Sequence, residues 1–339
     1  MKAIKFFAIT AMAAAMITSC STDDELSQSN YPSDNIIRVT AGVNNAKTRA
    51  DGQGVSAMDK DFSLTVVNKN TESTLPSKYT YIDKVFSKKS GDWACSETLL
   101  WQNSTTPVDI VAFAPAQTGK FNGVYANGSI QPIAYSVADD QSEKSDNNDL
   151  LYYYAKDFNP GTSLDEKGKL NIQFNHAFCM IDINVTLGTE FNKPKVLDDS
   201  PIVKVTLGGT KIAANVDVTK AATSVVTASE TAAATDITTT KGTFTKAANA
   251  EVNAISHFSC IAIPQTVAAN TFKVSLMTAG KRYEWTSDKE ITLQSGYRYT
   301  LNLSMGNDVV LLKGGSGSDN GGISATPWGP GTGGSLETE

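Results

Sequence analysis

Apolar side chains recur in this chain at every second residue, and sustained helical spacing does not occur. Residues 297 to 305 show it best. Tyr297, Tyr299, Leu301, Leu303 and Met305 point one way; Arg298, Thr300, Asn302 and Ser304 point the other. Successive side chains of a strand face opposite sides of a sheet, so such a segment lays one face on a core and the other in water. Phe272, Val274 and Leu276 alternate with Thr271, Lys273 and Ser275 in the same way. So do Leu170, Ile172 and Phe174 with Asn171, Gln173 and Asn175, and Val203, Val205 and Leu207 with Lys204 and Thr206. The run Ala177 to Val185 alternates less strictly, which suits a more central strand. Turn signals such as Asn122-Gly123, Asn159-Pro160-Gly161, Gly208-Gly209 and Ser295-Gly296 break up these runs. Many short strands with regular turns predict an all-β sandwich architecture. Residues 213 to 250, rich in alanine and threonine, could be helical in part, but dense threonine favours loosely specified strands and loops.

The first 49 residues read as an address, an anchor and a removable strand. Lys2 and Lys5 precede an apolar run, Phe6 to Ile17, that ends at Ile17-Thr18-Ser19-Cys20. This is a secretory signal over residues 1–19, and small residues before a cysteine have the form of a bacterial lipoprotein cleavage site. Cys20 is then the first mature residue and the lipidation site. The acidic Ser21 to Glu25 is either a solvated tether or an export tag of surface lipoproteins. Farther on, Ile37, Val39, Ala41 and Val43 alternate with Arg38, Thr40 and Gly42, the pattern of a strand on a core. The basic, glycine-flanked Lys47 to Gly52 follows, and a protease cutting between Arg49 and Ala50 would separate residues 20–49 from everything downstream. The loop Asp165 to Gly168 divides the rest near its middle, into 50–166 and 167–339.

Net charge is −6, and −8 once Lys2 and Lys5 leave with the signal. With no long basic run, nucleic acid is a poor partner. No later stretch reaches the roughly 20 apolar residues of a membrane-spanning helix, so membrane attachment rests on Cys20. Beyond Cys20 the cysteines are Cys95, Cys179 and Cys260, an odd number that makes no disulfide framework. One disulfide with a free thiol stays open beside a set of buried thiols.

Chemistry-bearing patterns are few. His176-x-x-Cys179 and His257-x-x-Cys260 supply four zinc-type ligands, but residues three apart on a strand point to opposite faces. Core histidines and inert thiols are the expectation. Asp139, Asp140, Glu143, Asp146 and Asp149 crowd one stretch, without the glycine and final glutamate of a calcium loop. No Ser-His-Asp set emerges, and two histidines leave little for general base work. Trp93, Trp101, Trp285 and Trp328 suit core or edge anchoring better than a sugar-binding face. Neither an enzyme nor a cofactor is expected.

Several segments together resemble the fimbrillin family, subunits of type V pili. They are Leu100-Trp101, Val108 to Pro115, Asp149 to Tyr152, Phe174 to Ile181, Ile263 to Thr266, Tyr283 to Trp285, Gly296 to Tyr299, and Ile323 to Trp328. Their order and spacing span nearly the whole mature chain. One departure is that the Trp-x-x-Gly-Asp segment frequent after the family's cleavage arginine is replaced here by Ala57-Met58-Asp59-Lys60-Asp61. The resemblance implies two transthyretin-like antiparallel β-sandwich domains in series, and a lipoprotein precursor trimmed after Arg49 by an arginine-specific protease. It implies other pilus subunits as partners, joined by strand exchange, with the outer membrane holding the precursor through Cys20. A host or glycan ligand would follow from an adhesive role. Val309 to Leu312 and Ile323 to Trp328, separated by the glycine- and serine-rich 314–322, are the candidate donor strands; the alternative is that both close the chain's own sheet. A monomeric surface lipoprotein, acting as tip adhesin or glycan-binding module, is the competing expectation.

Overall fold

The computed structural model describes residues 30–44, 58–70, 78–116, 125–126, 128–193, 195–306, 310–312 and 323–328. Strands dominate them. The first half runs through β1 (Val39–Val43), β2 (Phe62–Asn68), β3 (Tyr81–Lys89), β4 (Asp92–Cys95) and β5 (Val108–Ala114). The short β6 (Tyr125–Ala126) and β7 (Ser129–Ile130) precede β8 (Ile133–Ser136), β9 (Leu151–Phe158) and β10 (Leu170–His176). The second half contains β11 (Cys179–Leu187), β12 (Ile202–Gly208), β13 (Ala213–Val216), β14 (Val226–Ala228), β15 (Ile237–Thr238) and β16 (Thr240–Thr245). It continues with β17 (Ile255–Ala262), β18 (Thr266–Val267), β19 (Lys273–Thr278) and β20 (Arg282–Thr286). Then come β21 (Ile291–Thr292), β22 (Tyr297–Met305), β23 (Val310–Leu312) and β24 (Ile323–Pro327). The all-β class read from the alternation is what the described residues adopt, and 213–250 forms short strands and loops with a single 3-10 turn at Ala222–Ser224.

A seven-stranded sheet has the order β1-β10-β9-β5-β2-β3-β4. It rolls far enough that its two end strands, β1 and β4, come within 8 Å (Cα–Cα). Lys169 Nζ, next to β10, reaches Asp92 of β4 at 3.2 Å across this seam. Inside the roll Phe62 is the hub: its ring stacks on Phe86 at 5.4 Å and meets Trp93 and Phe174 edge-on at 5.0 and 5.5 Å. The near-continuous apolar run of β5 follows from burial on both faces. Val108, Ile110, Ala112 and Ala114 fill the roll, while Val111 and Phe113 face the second core.

The second core is built around β11, which lies between β17 and β22 in a six-stranded sheet. That central place explains why Cys179 to Ile183 is buried without alternation. Strand β22 keeps the expected pattern, with Tyr299, Leu301, Leu303 and Met305 inward. The order β15-β12-β19-β20 makes a four-stranded sheet, and β14-β13-β8 a three-stranded one.

Three features depart from the sequence reading. Pairing is not antiparallel throughout, because β1–β10 and β11–β22 run parallel. Both parallel pairs join strands more than a hundred residues apart, so no hairpin constrains their direction. Strand β10 starts after the 166/167 boundary yet belongs to the first sheet, and β8 crosses the other way to pair with β13. Val203, expected inward with Val205 and Leu207, is 63% exposed. A bulge between Ile202 and Lys204 puts Ile202 in its place, as one extra residue reverses the alternation.

A second irregularity lies at Asp83, in β3 opposite the register shift between Leu64 and Val66. Its φ is 48°, its N–H donates to Thr65 Oγ1 at 3.0 Å, and one carboxylate oxygen is buried without a partner. Desolvation raises its pKa to about 6. A carboxyl raised in the folded state binds its proton more tightly there than in the unfolded chain. Its penalty is therefore absent below about pH 4, grows as pH rises, and is complete above about pH 6. Asp83→Asn tolerates the same φ. It is expected to raise Tm at pH 8 by about 2 °C, allowing for solvent screening, and to leave Tm at pH 4 unchanged in calorimetry. An equal gain at both pH values would show that the charge is not the cause.

Candidate functional site

The edge of the first sheet is where the expected removable strand sits. Residues 35–37 first pair antiparallel with 99–101: Ile37 N–H donates to Leu99 O at 2.9 Å, and Trp101 N–H to Asn35 O at 2.8 Å. The chain then runs parallel to β10, from Val39 opposite Leu170 to Val43 opposite Phe174. Leu170 N–H donates to Arg38 O at 2.8 Å, and Asn44 N–H to Phe174 O at 2.7 Å, closing the two ends of the ladder. Side chains follow the sequence pattern. Ile37 and Val39 are 4% and 3% exposed in the first core, with Ala41 and Val43 packed partly against it. Arg38 faces water and is held by Asp34 at 2.5 and 2.9 Å. That pair holds the Asp34 carboxyl down at about 2, chiefly through the hydrogen bond from Arg38.

Removing β1 from a rolled sheet does more than bare one edge. It opens a slot between β10 and β4, floored by Leu170, Ile172 and Phe174, each now fully buried. A bare strand edge offers unpaired N–H and C=O groups, and an apolar slot beside it suits strand addition. The expected lipid site Cys20 and the expected cut between Arg49 and Ala50 lie outside the described residues.

At the other end of the chain, β23 and β24 both pair antiparallel with β22. Val310–Leu312 lies opposite Met305–Leu303, and Ile323–Pro327 opposite Leu301–Tyr297. The two candidate donor strands thus share one edge of their own six-stranded sheet, whose strand β22 takes β11 on its other side.

The remaining candidates resolve as structure. Among the described residues no group of three or more His, Cys, Asp or Glu is placed to hold a metal ion. Cys95, Cys179 and Cys260 are free thiols, and burial pushes Cys179 and Cys260 far above the range of a reactive thiolate. Of the acidic cluster, Asp149 turns inward, while Asp139, Asp140 and Glu143 are exposed. Trp101 stacks on Phe158 at 5.9 Å, and Trp93 and Trp285 pack edge-on against Phe62 and Phe272. All three are anchors in or beside a core. His257 makes a ladder that spacing did not reveal. It joins Thr245 Oγ1 at 3.3 Å and Asn184 Oδ1 at 2.8 Å, and Asn184 Nδ2 donates to Asn302 Oδ1 at 3.0 Å. The order Thr-His-Asn has the form of a nucleophile, base and orienter, but Thr245 is exposed on a sheet face, and the set reads as cross-strand surface pairing. Its only prior signal was the polar alternation of β11, β17 and β22.

Comparison with known proteins agrees with this architecture. The fold is similar to that of a candidate cell adhesion protein from Bacteroides ovatus, with TM-score 0.58 and 16% identity, covering 86% of this chain and 95% of that one. A fimbrial protein from Bacteroides vulgatus is similar with TM-score 0.52 and 15% identity, over 86% and 99% of the two chains. The tip fimbrial protein Mfa3 from Porphyromonas gingivalis, truncated at its C-terminus, is similar with TM-score 0.50 and 10% identity, over 86% and 100%. No curated protein matches the chain. The fimbrillin-like family pattern matches residues 48–328, which takes in every segment that carried the resemblance, and the chain belongs to the fimbrillin-like family.

Proposed function

We propose that the chain is a structural subunit of a cell-surface pilus, held first on the outer membrane by a lipid on Cys20 and released for assembly by a cut after Arg49. The family, with relatives described as fimbrial, tip fimbrial and cell adhesion proteins, supports a pilus-related role in adhesion, at the cell surface and among other pilus subunits. One observation carries the finer reading. The segment ahead of Arg49 contributes one end strand, β1, to a sheet rolled until its ends meet, so losing that segment opens a slot between β10 and β4. A neighbour's strand filling that slot joins unlike surfaces. Head-to-tail contacts of this kind build open filaments.

The two halves then act as transthyretin-like sandwich units in series, tied together by β8 and β10. Donation calls for β23 or β24 to leave β22. A second reading draws support from their present pairing: a subunit that keeps both strands on its own sheet ends a polymer, or stays a monomeric adhesive lipoprotein. No enzyme activity or cofactor is assigned.

The N-terminus and mass of protein taken from the cell surface separate the readings. Polymer whose chains begin at Ala50 is the expected result. Monomer that still begins at lipidated Cys20 would overturn assembly by strand removal and favour the second reading.

A further inference from the structure

His176 closes β10 with its imidazole almost wholly buried, and both oxygens of the fully buried Asp149 lie 3.0 Å from Nδ1. Its Nε2 is buried without a partner. One ring face is covered by the indole of Trp328, with centroids 3.7 Å apart and planes 7° from parallel. Trp328 is the residue directly after β24, is 5% exposed, and donates its backbone N–H to Gly296 O at 2.6 Å.

The burial of this terminal segment is uneven. Ile323 and Ala325 are only half-buried along β22, Ser324 and Thr326 are exposed, and Trp328 alone is fully covered. Trp328 packs at the margin of the second core, and the elements beneath its indole are also held by bonds that do not run through it. Asp149 orients the imidazole, Ala177 N–H donates to Leu150 O at 2.8 Å, and Gly296 N–H donates to Phe178 O at 3.0 Å. A flat aromatic face, locked in orientation and presented beside a strand edge, matches one class of ligand: the planar side chain at the end of a short extended peptide.

We propose that His176, oriented by Asp149, is a preformed seat for a strand-terminal tryptophan, and that Trp328 in this seat is the anchor that keeps β24 on β22. Ladder hydrogen bonds along a short, half-exposed strand exchange readily with water. Tenancy of the seat therefore sets how long residues 323–327 stay docked. Asp149 and His176 act here as positioning and binding groups; the indole is the bound group. β1 pairs with residues 170–174 of β10 and stops short of His176, so the seat is tested on the uncut full chain, where β1 stays in place and the outcome does not depend on any cut at Arg49.

The test is amide hydrogen exchange on the full chain and its Trp328→Ala and Trp328→Phe variants. In Trp328→Ala the amides of residues 323–326 are expected to exchange at least tenfold faster, while those of β11 and β17 keep their wild-type protection. Trp328→Phe, which keeps an aromatic face, is expected to stay within about threefold of wild type. The synthetic peptide Ile-Ser-Ala-Thr-Pro-Trp should bind the Trp328→Ala chain, and the same peptide ending in Ala should bind at least tenfold more weakly. Unchanged exchange at 323–326 would overturn the proposal, as would peptide binding indifferent to its last residue. Loss of protection throughout β11 and β17 would also overturn it, because the indole would then be part of the core rather than a seated anchor.

Discussion

Stripped of residues 30–44 after a cut at Arg49, the isolated chain is expected to unfold at a much lower temperature and to self-associate. The magnitude follows from what β1 buries. Ile37 and Val39 are almost fully buried, each contributing about 1.5–3 kcal/mol by area. The backbone bonds to β10 and to residues 99–101 add about 1 kcal/mol apiece. The entropy of ordering the strand offsets part of that sum, and a net loss on the order of 5 kcal/mol is a large share of the 5–15 kcal/mol that holds a domain folded. The cut alone has a smaller effect, because the freed segment stays in its slot by mass action until dilution or competition removes it. Calorimetry and size-exclusion chromatography on the stripped chain give the measurement. A peptide of residues 34–44 should restore both Tm and the monomer. The same peptide with Ile37→Asp and Val39→Asp should restore neither, since it would bury two carboxylates in an apolar slot. A stripped chain with wild-type Tm that remains monomeric would sink the strand-removal reading.

How much of this was legible beforehand depends on whether the signal was local. Tyr297 to Met305 announced β22 outright, because one face of that strand is core and the other is polar. Ile37 to Val43 announced β1 for the same reason, and the Gly296 turn is what its φ of 71° requires. Other features depend on residues far apart in sequence. Nothing in Ile133 to Ser136 marks it as the strand that crosses to β13, and nothing near Cys179 fixes that β11 runs parallel to β22. The exposure of Val203 turns on one bulge that leaves the composition of β12 unchanged. The site shows the same division. The edge strand β1 could be read from its alternation, whereas its place between β10 and β4 exists only because the two ends of the sheet meet across a roll. Nothing in the crowded acidic stretch sets Asp149 apart from its neighbours, because its partner His176 lies 27 residues on.

Phe62→Ala is expected to cost about 3–5 kcal/mol, the usual range for a phenylalanine removed from a packed core. Phe62 has no exposed surface, and three aromatic rings, from β3, β4 and β10, close around it within 5.5 Å. Phe62→Leu keeps most of the volume and is expected to cost about 1.5 kcal/mol or less. The loss should fall first on the roll. Denaturant-dependent hydrogen exchange is expected to show β2, β3 and β10 opening at lower denaturant while β11 and β17 hold, since the latter belong to the other core. The same substitution also bears on the slot. Phe62 packs against Phe174, and Phe174 is the residue opposite Val43 in the register of β1. Rebinding of the 34–44 peptide to a stripped Phe62→Ala chain should therefore weaken by about tenfold, near 1.4 kcal/mol, even though Phe62 is not on the strand edge. A destabilised chain that binds the peptide with unchanged affinity would mean that the slot is shaped by the β10 edge alone. Weakened binding would mean that the hub of the roll and the seat of β1 are one packing unit.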